Sequence, residues 1–397
     1  MLVSPAQAVA EAIARSPVLL GAGATQQATR GDRLQAGLRP NPEVSILGEN
    51  FGNFGGRRND ISGSEPPQTT FNITQRAELG GKRGARVNLA DRGNTVADLD
   101  FATARLDLVR DVTVALSEVV AASRFVDLEQ ERSRLANETL RAVRGRVEAG
   151  KEPLLQQRRA EVARSIADLA VDKARRETEI ALQNLAVLLG VARVELAPRQ
   201  TWFDDVGPEP AKFVGSAPAL QLSANPDVAR LDAVVDQRRA NLRLQRANAV
   251  PDVSFQGGVR HFESNSETAF VAGVSIPLPI FDRNQGGIAR ANAELTKAEV
   301  DARHIRLVVT AAFEAAEHRL ATAWRAVRTL RMEVVPAAEQ AASFAGEGYR
   351  AGKFGFLEVL DAQRALSDAR TQLNDALREA HARRAEVDRL LGREPES

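Results

Sequence analysis

The sequence predicts a mainly helical protein with a small β part, organised as two internal repeats. Three observations carry that expectation. Apolar residues recur every seven positions over spans longer than an ordinary helix: Ile288, Leu295, Ala302, Val309, Ala316, Ala323 and Leu330 form one row. A second row runs Ala291, Ala298, Ile305, Ala312, Arg319 and Ala326. Four short, alternating, β-branched stretches interrupt this helical pattern. Landmarks also recur at one fixed offset, Ala149-Gly150-Lys151 with Ala351-Gly352-Lys353, and Leu188-Leu189-Gly190 with Leu390-Leu391-Gly392.

Composition removes several function classes. Lys and Arg total 53 against 52 Asp and Glu, so the basic excess that a nucleic-acid footprint needs is missing. Cys is absent, which excludes disulfide frameworks, thiolate zinc sites and cysteine nucleophiles. The histidines His261, His304, His318 and His381 are too scattered for an imidazole cage, and no metal site is expected. Hydrophobic content is 44% but aromatics are only 5%, the balance of long Ala/Leu/Glu/Arg helices rather than of a large globular enzyme. There is no P-loop, G-x-S-x-G or H-E-x-x-H pattern, so neither catalytic residues nor cofactors are expected.

Each element follows in order. The opening MLVSPAQAVAEAIARSPVLL lacks a basic n-region and carries Glu11 and Arg15 within its apolar pattern. It reads as an amphipathic helix, and no signal peptide is expected in this chain. No stretch approaches 18–20 uninterrupted apolar residues, so no transmembrane helix is expected. Barrel strands escape that test because they alternate. EVSILGENF (43–51) and TTFNITQ (69–75) predict a first hairpin within 43–77, with a turn-rich loop at 52–68. Leu108, Val112, Ala115, Val119, Ala122 and Val126 step by four and three along a long helix that ends at a turn, 150–153. A return helix follows. Residues 197–218, with Pro198, Pro208, Pro210 and Pro218, read as a linker.

The second half repeats the plan. PDVSFQGGVRHF (251–262) and TAFVAGVSIPL (268–278) predict a hairpin within 251–280. Val253, Phe255, Gly257, Val259 and His261 alternate with Ser254, Gln256, Gly258 and Arg260, the period of a strand with one wet face. A helix without proline before Pro336 leads to a turn at 351–355, and the return helix carries Leu366, Leu373, Ala380 and Val387. Gly150 and Gly352 stand where a left-handed residue closes a helix. The division is therefore 1–196, linker 197–218, and 219–397.

Isolated hairpins are marginal in water. Four strands are also too few to close a barrel, so closure needs several chains, eight strands in a dimer or twelve in a trimer. A four-stranded sheet capping a soluble coiled-coil scaffold fits the same pattern. It predicts sheet faces without a continuous apolar band.

The runs LRPNPEVSILGENF (38–51), ELGGKRGARVNLA (78–90) and PLPIFDRNQGGIARANAEL (277–295) resemble the outer-membrane efflux proteins of the TolC superfamily. They are most similar to the CzcC-type branch that serves heavy-metal resistance pumps. The resemblance covers essentially the whole chain. One departure is Arg76-Ala77, where the family commonly has Pro and an apolar residue.

The resemblance implies a homotrimer in the Gram-negative outer membrane, each chain giving four strands to a twelve-stranded barrel in lipid. The long helices would continue it into the periplasm. It implies passive conduction, heavy-metal cations as cargo, and a periplasmic adaptor and an inner-membrane RND-type pump as partners. Gly80, Gly81, Gly286 and Gly287 then mark strand-to-helix junctions, where glycine permits an abrupt change of direction. Arg146, Gly150, Lys151, Tyr349, Arg350, Gly352 and Lys353 become the adaptor-contact tip. Glu358 and Asp361, three apart on one helix face, fall at the family's aperture acids, with Gln156 and Arg159 as first-half counterparts. Phe354 stands where the archetype has Arg.

Overall fold

The computed structural model describes residues 4–50, 67–197, 200–209, 222 and 225–394. Most of the expected 52–68 loop, and of the linker beyond residue 209, lies outside them.

The chain opens with α1 (Pro5–Arg15) and α2 (Pro17–Ala36). Ser4 caps α1, its Oγ accepting the Gln7 N–H. Pro17 holds Ser16 in extended backbone (ψ 124°) and so separates the two helices. Strands β1 (Glu43–Glu49) and β2 (Gln68–Ala77) follow, then α3 (Lys82–Glu148), whose 67 residues span about 100 Å at about 1.5 Å per residue. The return helix α4 covers Leu154–Leu189, and a short 3₁₀ turn covers Thr201–Asp204. The second half supplies α5 (Pro226–Asn248), β3 (Val253–Phe262), β4 (Glu267–Ser275), α6 (Gln285–Thr329), a π turn (Leu330–Val334), α7 (Val335–Arg350) and α8 (Phe356–Leu390).

These elements form two compact units that cut across the sequence halves. One comprises 24–99 and 230–304; the other comprises 1–23, 100–229 and 305–397. In the first, the hairpins do not stay separate. β2 and β3 pair antiparallel from Gln68↔Phe262 to Ala77↔Val253, giving one sheet in the order β1-β2-β3-β4.

The second unit is held by packed helices. Val112, Leu116 and Val119 of α3 pack with Leu185 of α4 and with Ala8 and Ala12 of α1. A separate cluster joins Leu140, Val143, Ala160, Ala345, Tyr349, Phe356 and Val359 near the helix turns.

The heptad expectation needs one correction. In α6 the first row faces inward from Ala302 to Ala323, but Ile305, Ala312 and Arg319 of the second row are exposed. Phe313, Leu320 and Val327 are buried instead, one residue further on. An α-helix turns every 3.6 residues, so a strict seven-residue row drifts by about 20° per heptad, and the next residue takes over the inward position.

Nor is the helix that leads to the second turn regular throughout. The Val335 N–H reaches back five residues to the Leu330 carbonyl, which forms the π turn immediately before Pro336. Proline cannot donate and would strike the carbonyl four residues back, and the wide turn accommodates it. The inward row shifts by one there: Val334 is exposed, whereas Val335, Ala338, Ala342, Ala345 and Tyr349 point in.

Candidate functional site

Register assigns every strand residue to a face, because directly paired residues share one. Val44 pairs with Ile73, Ile73 with Gly257, and Gly257 with Ala272. The next row on that face is Ile46, Phe71, Val259 and Phe270, and a further one is Gln75, Phe255 and Val274. Apart from Gln75, these rows are apolar across all four strands and open to the outside, with Phe270 93% exposed. The opposite face carries Ser45, Asn72, Thr70, Thr74, Arg76, Ser254, Gln256 and Arg260. There the Arg260 Nε donates to Thr70 Oγ1 at 2.9 Å and its Nη2 lies 3.5 Å from Glu49 Oε2. An isolated soluble sheet has no use for such an apolar band.

Where β2 hands over to α3, Gly80 (φ 68°) and Gly81 (φ 72°) carry the left-handed backbone that the turn requires. A Cβ on Gly80 would stand 2.7 Å from Val250 Cβ, so both dihedral and space demand glycine. Around them Asp252 accepts from Lys82 Nζ at 2.6 Å and from the Leu79 N–H at 3.2 Å. Burial works against the Asp252 charge, but these bonds and the nearby Lys82 and Arg76 hold its carboxyl below the usual range. Arg86 grips Glu78 with both terminal nitrogens and keeps Glu78 low as well. Sequence reasoning missed Glu78, Lys82, Arg86 and Asp252. Three of them were legible as Glu78-Lys82-Arg86, four apart each time.

The second junction corrects an expectation. Gly286 and Gly287 do not make the change of direction; they lie within the first turn of α6. The left-handed residue is Asn284 (φ 56°), a type whose short polar side chain tolerates that region. Its Nδ2 donates to Gln245 O at 2.8 Å, and its N–H donates to Asp282 Oδ1 at 2.8 Å. Gly287 is nevertheless required, since a Cβ there would run into the Asn284 side chain.

Both helix turns close as expected. Gly150 (φ 70°) and Gly352 (φ 72°) end α3 and α7, and the N–H groups of Lys151 and Lys353 donate to Arg146 O and Gly348 O, each at 2.8 Å. Gly150, Lys151, Arg350, Gly352 and Lys353 are exposed and Arg146 is half-buried. Tyr349 differs: it is 6% exposed and belongs to the apolar cluster beneath the turns, so it is not available as a surface contact. Arg146 lies over its ring, 4.8 Å from the centroid, with Nε 3.5 Å from Glu152 Oε1. Burial raises the Tyr349 pKa.

Glu358 and Asp361 lie in the first two turns of α8, exposed and without hydrogen-bond or ion-pair partners among the described residues. Phe354 folds back onto Gly348, so closely that no Cβ would fit there. It brings apolar contact rather than the charge that an Arg would bring.

The described part of the linker is pinned rather than free. Phe203 is fully buried, and Arg124 reaches Asp204 through two bonds of 2.7 Å. Arg331, in the π turn, donates to Asp204 O at 2.7 Å, and Trp324 Nε1 donates to Gly207 O at 3.1 Å. His381 Nε2 donates to Phe203 O at 3.0 Å and stacks on the Phe203 ring, with burial pushing its pKa below the ordinary value. Among the described residues no group of three His, Cys, Asp or Glu side chains could hold a metal ion, and no helix is long and apolar enough to cross a membrane.

A small sheet with one continuous apolar face, set among helices of this length, defines the class of the TolC-like outer-membrane channels. The open state of the Neisseria gonorrhoeae outer membrane channel MtrE matches it with a TM-score of 0.81, covering 98% of this chain and 89% of that one at 20% identity. The sequence matches the outer membrane efflux protein family over residues 8–191 and 217–393. This chain belongs to that family. The cobalt-zinc-cadmium resistance protein CzcC of Cupriavidus metallidurans is 33% identical over 366 residues, 92% of this chain and 84% of its own length. The nickel and cobalt resistance protein CnrC of the same organism is 30% identical over 313 residues, 79% and 72% of the two chains.

Proposed function

We propose that three copies of this chain form a passive exit duct through the outer membrane for heavy-metal cations. The observation that carries this reading is the sheet. Its apolar face suits lipid and its polar face suits a wet lumen. Strands β1 and β4 are edges, each paired on one side only among the described residues. In lipid every backbone N–H and C=O must find a partner, so such edges have to join strands of other copies. A trimer contributes twelve strands, an even number as bacterial barrels have.

The metal cargo is inferred from the relatives named for cobalt, zinc, cadmium and nickel. In this reading the halves 1–196 and 219–397 are duplicated arms. The exposed turns at Gly150-Lys151 and Arg350 to Lys353, backed by Arg146, meet a periplasmic adaptor. An inner-membrane RND-type pump supplies the energy. Glu358 and Asp361 would line the aperture as rings of three acids, which favour cations.

The mass of the detergent-extracted particle tests the reading. Expressed behind an export signal, the protein should sediment with membranes and give, after detergent subtraction, three times the 42.9 kDa protomer mass. A detergent-free monomer or dimer would overturn the duct.

A further inference from the structure

The polar face of the sheet carries five charges, Glu43, Glu49, Arg76, Arg260 and Glu267, and they are not equivalent. Arg260 is paired with Glu49 and bonded to Thr70. Arg76 occupies the row nearest α3, where its paired neighbour is Ser254 and the next strand offers Ser275. Both neighbours are short, so Arg76 is the one long side chain of that row. It is exposed, and its guanidinium has neither a hydrogen bond nor an ion pair among the described residues. The acids closest in sequence and register are occupied or displaced. Glu78 is held by Arg86, Asp252 by Lys82, and Glu43 sits one row away without an ion pair to Arg76. Arg76 lies near enough to Glu78 and Asp252 to lower both carboxyls, but each acid already has its own cation, so Arg76 is the positive charge left over from this group on the face that the duct reading turns toward water.

We infer that Arg76 is a selectivity-determining residue of the pore, one guanidinium per subunit forming a cationic ring at the helix-side end of the barrel lumen. The inference rests on the duct reading above. A ring of fixed positive charge admits anions and repels cations, and a divalent ion feels that repulsion twice as strongly as a monovalent one. The metal cargo feels the same repulsion, so outward flux in this reading relies on the concentration that the pump maintains, while passive re-entry of free divalent cations is lowered. This is opposite in sign to the acids Glu358 and Asp361.

The absence of cysteine makes a clean test available. Arg76→Cys gives the chain a single thiol, and Phe255→Cys places one on the apolar face as a control. In lipid vesicles a membrane-impermeant maleimide should label the Arg76→Cys protein and spare the Phe255→Cys protein. In planar bilayers under a KCl gradient, Arg76→Cys should raise the ratio of K⁺ to Cl⁻ permeability several-fold. A cationic methanethiosulfonate reagent should restore the original ratio, and an anionic one should push it further. Restoration by charge alone is an effect that a merely structural role does not produce. Conducting channels whose reversal potential ignores all three treatments would overturn the Arg76 assignment while leaving the duct intact. Wild-type protein that never conducts would remove the duct, and this inference with it.

Discussion

The two strand-to-helix junctions perform one task with different chemistry. The first turns on two left-handed glycines and is clamped by the Asp252–Lys82 and Glu78–Arg86 ion pairs. The second turns on one left-handed asparagine, is held by neutral amide hydrogen bonds, and exposes Ile276, Leu278, Ile280 and Phe281. Matching topology at the two junctions therefore does not require matching residues. It requires that some residue accept a positive φ and that the freed polar groups find partners.

That contrast can be broken at the charged side first. Asp252→Ala strips Lys82 of its carboxylate and the Leu79 N–H of its acceptor in a largely buried place, and should cost about 3–4 kcal/mol. Thermal unfolding of the detergent-solubilised protein would show it, and an unchanged midpoint would refute the clamp. Gly80→Ala comes next, at about 3 kcal/mol, because backbone strain adds to a clash with Val250. Gly81→Ala meets open space and should lose only about 1 kcal/mol, so equal effects at the two positions would disprove the packing argument.

Acid should separate the junctions without mutation. Glu78 titrates lower in the folded chain than in the unfolded one, so its stabilisation is complete above the ordinary carboxylate range and is lost as pH falls through the folded value. Hydrogen exchange of the Lys82–Arg86 amides should accelerate on acidification, after correction for intrinsic rates, while that of the Gln285–Ile288 amides changes little. The smallest effect is Gly286→Ala, which should stabilise by about 0.5 kcal/mol, since this glycine is helical and unhindered. Destabilisation there would restore it as a turning residue.

What the sequence showed was local. Alternation in 253–261 and the glycine landmarks at the turns depend on a few neighbouring residues, and both appear in the structure where they were expected. The pairing of β2 with β3 joins residues as distant as Thr70 and Arg260, and nothing in either stretch names its partner. The charged clamp needed Asp252, far along the chain from Lys82, and nothing in Glu78-Lys82-Arg86 names that partner. Tyr349 was misplaced for a related reason. A lone tyrosine beside a turn resembles a surface contact until Val143 and Phe356 are seen around it. Gly286 and Gly287 drew attention by type, while Asn284 beside them did the turning.

The π turn before Pro336 has a consequence for how such a protein can change over time. It takes up one additional residue, and the inward row continues on each side of it. Everything from Val335 to Tyr349 keeps its own internal spacing, but its azimuth about the helix axis is written in that single turn. Deleting Met332 would close the turn into regular helix and leave the downstream segment facing as it does now, with Val335, Ala345 and Tyr349 still inward; straightening the turn with every residue kept would instead rotate that segment by about 100°. A lineage could therefore gain or lose one residue here without re-aiming this arm, leaving the wording of both flanking segments untouched.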